Sequence, residues 1–404
     1  MKYLFIIPSF YGFISFSLFY LLYRIKLLPY RATYCEMDII CLFTILLFLF
    51  SFFCFYRYYR VTLNTISDGK PYPFMSLMIF FYVIGMLGYV LYFRECIGYF
   101  GSLNSFFINL VYSGSEIRKA TGKVEAQSII LTYFAWVASG VSIFYYLRGK
   151  LSFFWIICAI LHWLLNLLFV ARSRLFMILL MSCIIAIPIL LQKKSLKSLL
   201  VKGVCISFFL IFIFNIIGIW VGKISFEGDS FSRDTILPPF LQSFYYYSTS
   251  GFAYLNELIG DDMYTGEPIR IFNPIYKLLN MMGITNVDIP DTILDFITVT
   301  SDGNVTNVGT FLEPFWSDGG ILYVLIGVIV HSFFFDLLGC LYLKINNGIS
   351  FYAWSFLCFT NLFICFAPRY NTMYFYIFLF TTVQRNYPIG SVDLNRNHSS
   401  DVLV

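Results

Sequence analysis

Long apolar segments recur along almost the whole of this 404-residue chain, and they restrict its fold more than any other feature. About ten of them approach the roughly 20 apolar residues that a helix needs to cross the hydrocarbon core of a bilayer. Charged residues make up only 12% of the sequence, whereas a soluble domain carries about 25%. The sequence therefore predicts an all-α polytopic membrane protein. The predicted spans are residues 3–23, 39–56, 74–93, 128–147, 151–170, 174–191, 203–221, 320–343, 351–367 and 371–384.

Lysines and arginines in the short loops set the expected orientation of these spans. The loop from Gln192 to Lys202 carries four lysines in eleven residues, so we place it in the cytoplasm. Alternation of the spans then puts both termini inside, although the basic loop from Arg24 to Ala32 falls on the outer face and opposes this arrangement. The predicted regions are transmembrane helices 1–7 in 1–221, a large periplasmic loop in 222–320, transmembrane helices 8–10 in 321–384 and a cytoplasmic tail in 385–404.

The large loop is expected to contain short helices. The stretch NPIYKLLNMMG predicts an amphipathic helix that Asn273 caps and Gly283 ends. One face of that helix consists of Ile275, Leu278, Leu279 and Met282. This face is expected to rest on the outer membrane interface or on the helix bundle. The stretch PPFLQSFYYYSTSGFAYLNELI is a second helical candidate, and its tyrosines suit a membrane interface or a sugar-binding surface.

Arginines on the outer face are candidates for binding an anion. Arg172 and Arg174 lie at the outer mouth of the sixth span, where few basic residues are expected. A guanidinium stays charged and binds phosphate through paired hydrogen bonds, and the free N–H groups of a helix N-terminus favour anions. Snorkelling to lipid headgroups is the structural alternative for both. Arg233, Arg270 and Arg369 are further candidates, and a salt bridge with an acidic loop residue is the alternative for the first two.

Two carboxylates and one histidine are further candidates. Glu313 and Asp318 directly precede an apolar run. Either could act as a general base for a sugar hydroxyl, and the sequence leaves the same role open to Glu227, Asp229, Asp234, Glu257, Asp261 and Asp262. Asp318 stands before a Gly-Gly pair, so a helix cap is its structural alternative. His162 and Asn166 share a face of the fifth span. A polar residue inside a membrane helix is a functional hypothesis by default, and hydrogen bonding between helices is the favoured structural alternative for each of the two.

The sequence contains no Walker loop, no dinucleotide-binding glycine motif, no HExxH motif, no GxSxG motif and no CxxC pair. No cofactor and no metal are therefore expected. The net charge of +5 is unremarkable for a chain of this size, and no nucleic-acid partner is expected.

Four stretches resemble, in the same order, the Wzy-type oligosaccharide repeat-unit polymerases of bacterial O-antigen and capsule synthesis. They are ARSRLFMILL, YYYSTSGFAYLNELI, RIFNPIYKLLNMMGI and NVGTFLEPFWSDGGILYVLIGV. The similarity covers the chain from about Val170 to Val330, and the N-terminal third matches in hydropathy alone. Gly319 replaces the aromatic residue that usually follows the aspartate in the last stretch.

The resemblance implies a glycosyltransferase of the bacterial inner, or cytoplasmic, membrane that joins repeat units at the outer face. Its substrate would be an oligosaccharide on undecaprenyl pyrophosphate, and the lipid pyrophosphate would be the leaving group. Besides the lipid bilayer, a polysaccharide chain-length regulator and a flippase are the implied partners. Motif position assigns catalytic roles to Arg174 and Asp318. Our own inference adds Glu313 as catalytic and Arg172, Arg233, Arg270, Arg369 and His162 as substrate-binding.

Three alternatives remain open at the level of the sequence. An O-antigen ligase has a similar architecture, but such ligases typically rely on a histidine in the large outer loop, and this loop has none. A flippase for the same lipid-linked units would have more spans and repeat symmetry, without a loop of this size. A non-enzymatic assembly scaffold would not need arginines at the outer helix mouths.

Overall fold

The computed structural model describes residues 3–65, 75–169, 172–193, 237–261, 264–290 and 294–366, with isolated positions between 197 and 219 and at 372. The structure is mostly helical. Its α-helices are α1 (Pro8–Ile25), α2 (Cys35–Thr65), α3 (Met75–Phe100), α4 (Leu103–Tyr112), α5 (Gly114–Thr121), α6 (Ala126–Leu147), α7 (Phe154–Leu165), α8 (Arg172–Lys193), α9 (Pro239–Asp261), α10 (Asn273–Met281), α11 (Glu313–Ile345) and α12 (Gly348–Leu362). Strands β1 (Ile297–Thr298) and β2 (Val305–Thr306) form a small antiparallel sheet.

Five helices in the described part of the chain are long and apolar enough to cross a membrane. The five segments are Cys35–Thr62, Met75–Phe100, Ser128–Leu147, Arg174–Leu191 and Glu313–Ile345. The structure thus agrees with the prediction of an all-α membrane protein. The predicted spans 3–23, 151–170 and 351–367 contain the shorter helices α1, α7 and α12. Residues 371–384 lie outside the described residues except for position 372, so the count of about ten spans stays a prediction.

Helices α3 and α6 pack closely because α3 presents glycines where they meet. A Cβ atom added to Gly85 would lie 2.3 Å from the Cβ atom of Ala135 and 2.7 Å from its backbone nitrogen. A Cβ atom added to Gly88 would lie 2.7 Å from the backbone nitrogen of Thr132. Small residues allow this backbone approach, which is a common way for membrane helices to associate.

Buried polar groups join distant helices inside the bundle. Asp336 of α11 is fully buried and accepts hydrogen bonds from the Ser9 backbone N–H at 2.9 Å and the Ser51 hydroxyl at 2.6 Å. His331 of the same helix is hydrogen bonded through Nε2 to Oδ1 of Asn361 at 2.8 Å. Because an unpaired polar group is costly in an apolar interior, these bonds fix the positions of α1, α2 and α12 around α11.

Helix α9 confirms the second helical candidate predicted from the sequence, and two of its tyrosines pack inside the protein. Tyr245 and Tyr246 are buried. The Tyr245 hydroxyl donates to the Leu22 carbonyl at 2.7 Å, and the Tyr246 hydroxyl donates to the Val305 carbonyl at 2.6 Å. The expected interface or sugar-binding role is therefore wrong for these two residues. They pack α9 against α1 and β2 instead.

We predict that Gly85→Ala lowers the free energy of unfolding by about 1–3 kcal/mol, because overpacking forces the backbones of α3 and α6 apart. Thermal unfolding in detergent micelles measures the effect. Gly98→Ala in the same helix is the matched control, since a Cβ atom there has nothing within 4 Å and alanine favours a helix. Equal melting temperatures for the two variants would contradict the close α3–α6 contact.

Candidate functional site

The first turns of α11 are separated from the rest of the helix by a kink at two glycines. Gly319 has no room for a side chain, because a Cβ atom would lie 2.3 Å from the ring of Tyr323. Gly320 has φ 61° and ψ −150°, a conformation that residues with a Cβ atom rarely adopt. The 33 residues of α11 would extend about 50 Å as a straight helix, against a hydrocarbon core of about 30 Å. The polar first turns of α11 can therefore lie outside the hydrocarbon core of a bilayer that the rest of the helix crosses.

Asp318 binds the segment that precedes α10. Its Oδ1 accepts the backbone N–H of Arg270 at 3.1 Å, and its Oδ2 accepts the backbone N–H of Ile271 at 2.8 Å. The side chain is fully buried. Hydrogen bonds to an ionised carboxylate are roughly twice as strong as neutral ones. Asp318 therefore anchors a distant part of the outer segment at the kink, and this contact replaces the helix cap considered from the sequence.

Arg270 and Glu313 form an ion pair directly beside this anchor. The Arg270 Nη1 atom lies 3.1 Å from Glu313 Oε1, and the Ser317 hydroxyl donates to the same oxygen at 3.0 Å. The Glu313 side chain is only 4% exposed, whereas that of Arg270 is 29% exposed. Within the part of the chain that the structure describes, Glu313 Oε2 has no hydrogen-bond partner. That oxygen is left to accept a proton or a hydroxyl group.

Residues of α9 and of the following loop complete this first cluster. The Ser317 carbonyl accepts the Thr265 backbone N–H at 2.9 Å, and the Trp316 indole N–H donates to the Leu258 carbonyl at 3.2 Å. Burial raises the pKa of the Tyr254 phenol to about 12; the Glu313 carboxylate adds to the rise and Arg270 opposes it. Tyr254 thus faces the ion pair. We call Arg270, Glu313, Ser317 and Asp318 the kink cluster.

Arg174 lies in a second cluster at the start of α8. Its Nη2 atom donates to Oγ1 of Thr132 at 2.5 Å. The guanidinium carbon lies 3.8 Å from the ring centre of Phe169, 5.1 Å from that of Trp136 and 5.2 Å from that of Tyr133. These three rings, which we call the aromatic cage, stabilise a cation. Among the described residues, Arg174 Nε has no hydrogen-bond partner and no carboxylate pairs with the guanidinium.

The Arg174 cluster has no carboxylate partner within the described ranges, and this gives it its chemical character. A cation removed from water is costly unless an anion or several hydrogen bonds compensate it. The aromatic cage and one hydroxyl supply part of this compensation. The remaining donor capacity of the guanidinium suits a phosphate or another oxyanion.

His162 and Asn166 connect to the aromatic cage through a buried network. The Asn166 side chain accepts the Trp136 indole N–H at 3.2 Å and donates to the Tyr89 hydroxyl and to the His162 carbonyl. The His162 ring stacks on Tyr82 with ring centres 4.8 Å apart. Its Nδ1 has no partner among the described residues. The expectation that His162 and Asn166 share a buried face agrees with this geometry.

An open groove of about 440 Å³ lies beside this network on the surface formed by α3 and α7. Its walls are formed by Met86, Tyr89, Val90, Phe93, Arg94, Ile97 and Leu165. Tyr89 belongs both to the groove and to the surroundings of Arg174. Its ring contacts that of Phe169, with 6.1 Å between the ring centres.

The structure brings three of the predicted site residues together and places two elsewhere. Arg270, Glu313 and Asp318 meet in the kink cluster. Arg174 and His162 belong to the second cluster. Phe169 and Leu175, which are close to Arg174, lie in one hydrophobic core, and Trp316, which is close to the kink cluster, lies in another. Arg233, Arg369 and the side chain of Arg172 lie outside the described part of the structure. In the described ranges, no group of three or more His, Cys, Asp or Glu side chains could hold a metal ion.

Some members of the second cluster were not singled out from the sequence. Thr132, Trp136 and Tyr89 come from helices α6 and α3, which lie before the four stretches quoted from the sequence. A threonine or a tryptophan in an apolar span has no spacing that distinguishes it from a packing residue.

In comparisons with protein-family models, with curated proteins and with solved structures, no match to this chain was found. The resemblance to the Wzy-type polymerases therefore rests on the four stretches of sequence.

We predict that Asp318→Asn destabilises the protein by about 1–3 kcal/mol, because an amide accepts one backbone N–H and leaves the other buried without a partner. Thermal unfolding in detergent micelles provides the measurement. Asp288→Asn is the control, since Asp288 is an exposed residue of the same outer segment. A melting temperature of Asp318→Asn equal to that of Asp288→Asn would show that the two amide bonds contribute nothing.

Proposed function

We propose that this protein is a membrane glycosyltransferase that polymerises oligosaccharide repeat units carried on undecaprenyl pyrophosphate. The reaction takes place at the outer face of the bacterial inner membrane and builds O-antigen or capsular polysaccharide. The observation that carries the proposal is Arg174, a largely buried guanidinium without a carboxylate partner among the described residues. The order of the four family-like stretches is its second support.

Arg174 binds the pyrophosphate of the donor in this proposal. Negative charge grows on the pyrophosphate as its bond to the anomeric carbon breaks, and a fixed cation stabilises that charge most effectively in a site shielded from water. The free N–H groups at the start of α8 add to the positive potential that stabilises this charge. Arg172 and Arg369 are further candidates for this role, and Arg233 is another candidate on the outer loop.

Glu313 accepts the proton of the acceptor hydroxyl. The hydroxyl oxygen attacks the anomeric carbon, the bond from that carbon to the pyrophosphate oxygen breaks, and the pyrophosphate leaves with the bonding electrons. The proton passes to Glu313 Oε2, the oxygen that has no hydrogen-bond partner in the described part of the chain. Arg270, which is paired with Oε1, binds the acceptor sugar at its exposed edge.

Asp318 acts as a positioning residue in this scheme. Both of its oxygens accept backbone N–H groups, and a proton taken up by the carboxylate would weaken both bonds of the anchor. The kink cluster and the Arg174 cluster each lie at the N-terminal end of a candidate span. In the predicted topology of about ten spans, with 222–320 in the periplasm, both of these ends face outward. In this proposal both clusters therefore lie on the face of the membrane where the lipid-linked substrate is displayed.

We predict that Arg174→Ala reduces polymer yield by about 100-fold or more, the usual effect of removing one transition-state donor. The host strain is deleted for this gene and complemented with each variant, and a surface-polysaccharide gel measures the ladder of chain lengths. Arg174→Lys, which keeps the charge but loses the planar donor fork, should give an intermediate yield. Arg118→Ala on the exposed surface of α5 is the control.

The deletion strain separates the proposal from its alternatives. A polymerase defect leaves core with a single repeat unit and no ladder. Bare core with polymer accumulating on the carrier lipid identifies a ligase, and bare core with unextended units trapped inside identifies a flippase. A full ladder from Arg174→Ala at normal protein levels in the membrane would overturn the assigned role of Arg174.

A further inference from the structure

Helix α10 turns its apolar side away from the protein. Ile275, Leu278, Met281 and Met282 are 39%, 50%, 83% and 62% exposed. The helix ends as the sequence predicts, with Gly283 at φ 69° directly after the last turn. A helix that packs on a soluble domain shows the opposite arrangement, with its apolar stripe facing the core.

The polar side of α10 is turned inward and bonded to the loop that follows. The Asn273 side chain donates to the Pro290 carbonyl at 3.1 Å and does not cap the helix, which corrects the expectation from the sequence. The Asn280 side chain donates to the Val287 carbonyl at 2.8 Å and accepts the Thr285 hydroxyl at 2.7 Å. These bonds fix the rotation of the helix about its axis, so the exposure of the apolar face is a property of the fold.

The position of α10 along α11 is fixed by the kink cluster. Asp318 holds the N–H group of Ile271, two residues before α10 begins. Three residues after Asp318, the exposed apolar side chains Ile321 and Leu322 start the lipid-facing surface of the α11 span. The ring of Tyr264 lies against Gly320 and is 56% exposed, as is common for tyrosines at a membrane interface. Helix α10 therefore begins at the level where the apolar section of α11 begins.

We infer that α10 lies in the plane of the membrane interface and inserts its apolar face into the outer-leaflet lipid surface. Lipid is the occupant that fits, because the apolar face of α10 lies at the same level as the start of the exposed apolar surface of α11. Lys277, which lies about 100° around the helix from Leu278, is exposed at the edge of this face and can reach water and headgroups. This inference needs α11 to cross the membrane with its first turns outward, as in the predicted topology, and it is independent of the enzymatic proposal. Because the chain runs directly from Arg270 into α10, the lipid surface fixes the height of the kink cluster.

Photo-crosslinking of the full-length protein tests this inference. Benzoylphenylalanine is placed at position 278, in the apolar face, or at position 277, an exposed position about 100° around the helix. Each purified protein is reconstituted into vesicles of phosphatidylethanolamine and phosphatidylglycerol. Mass spectrometry after irradiation measures the fraction of protein that carries a covalent phospholipid adduct. We expect a severalfold higher adduct fraction from position 278 than from position 277. Both positions are exposed, so neither replacement disturbs the core.

Three outcomes would overturn the inference. Equal lipid adducts from positions 277 and 278 would mean that the face is not oriented toward lipid. Crosslinks from position 278 to a second copy of the chain would assign the face to a dimer. Crosslinks from position 278 to another part of the same chain would mean that the face is covered by the protein itself.

Discussion

Asp318 accepts the backbone N–H groups of Arg270 and Ile271 at the point where α11 bends. The bend requires two glycines, because Gly319 has no space for a Cβ atom and Gly320 adopts a positive φ. The carboxylate bonds the backbone N–H group of a residue that lies 48 positions earlier in the sequence. The position of the segment that leads into α10 depends on this buried contact.

Two further features follow from that contact. It brings the Arg270 guanidinium within 3.1 Å of Glu313, so an ion pair forms at the end of a span and leaves one carboxylate oxygen free among the described residues. It also fixes where α10 begins, and thus sets its exposed apolar face at the level of the α11 span. A charged pair and a helix with an exposed apolar face are held side by side, which suits the proposed substrate with its sugar part and its lipid part.

The sequence of this protein predicts local secondary structure better than it predicts the tertiary contacts of individual side chains. The positions of α9 and α10, the end of α10 at Gly283 and the polar opening of α11 follow from periodicity and turn chemistry. The inward orientation of Tyr245 and the bond of Asn273 to Pro290 do not, because each depends on a residue that tertiary folding brings near. The aromatic cage around Arg174 likewise joins helices far apart in sequence. Periodicity identifies a face of a helix, but not the surface that covers it.

Hydrogen exchange of the backbone amides in lipid bilayers tests the central contact most directly. The amides of Arg270 and Ile271 precede α10 and bond to the Asp318 side chain, so we expect them to exchange slowly in the wild-type protein. They should exchange rapidly in Asp318→Asn, while the amides of α2 remain unchanged. Rapid exchange of both amides in the wild-type protein, or equal protection in the variant, would contradict the role of Asp318 as the anchor of the outer segment.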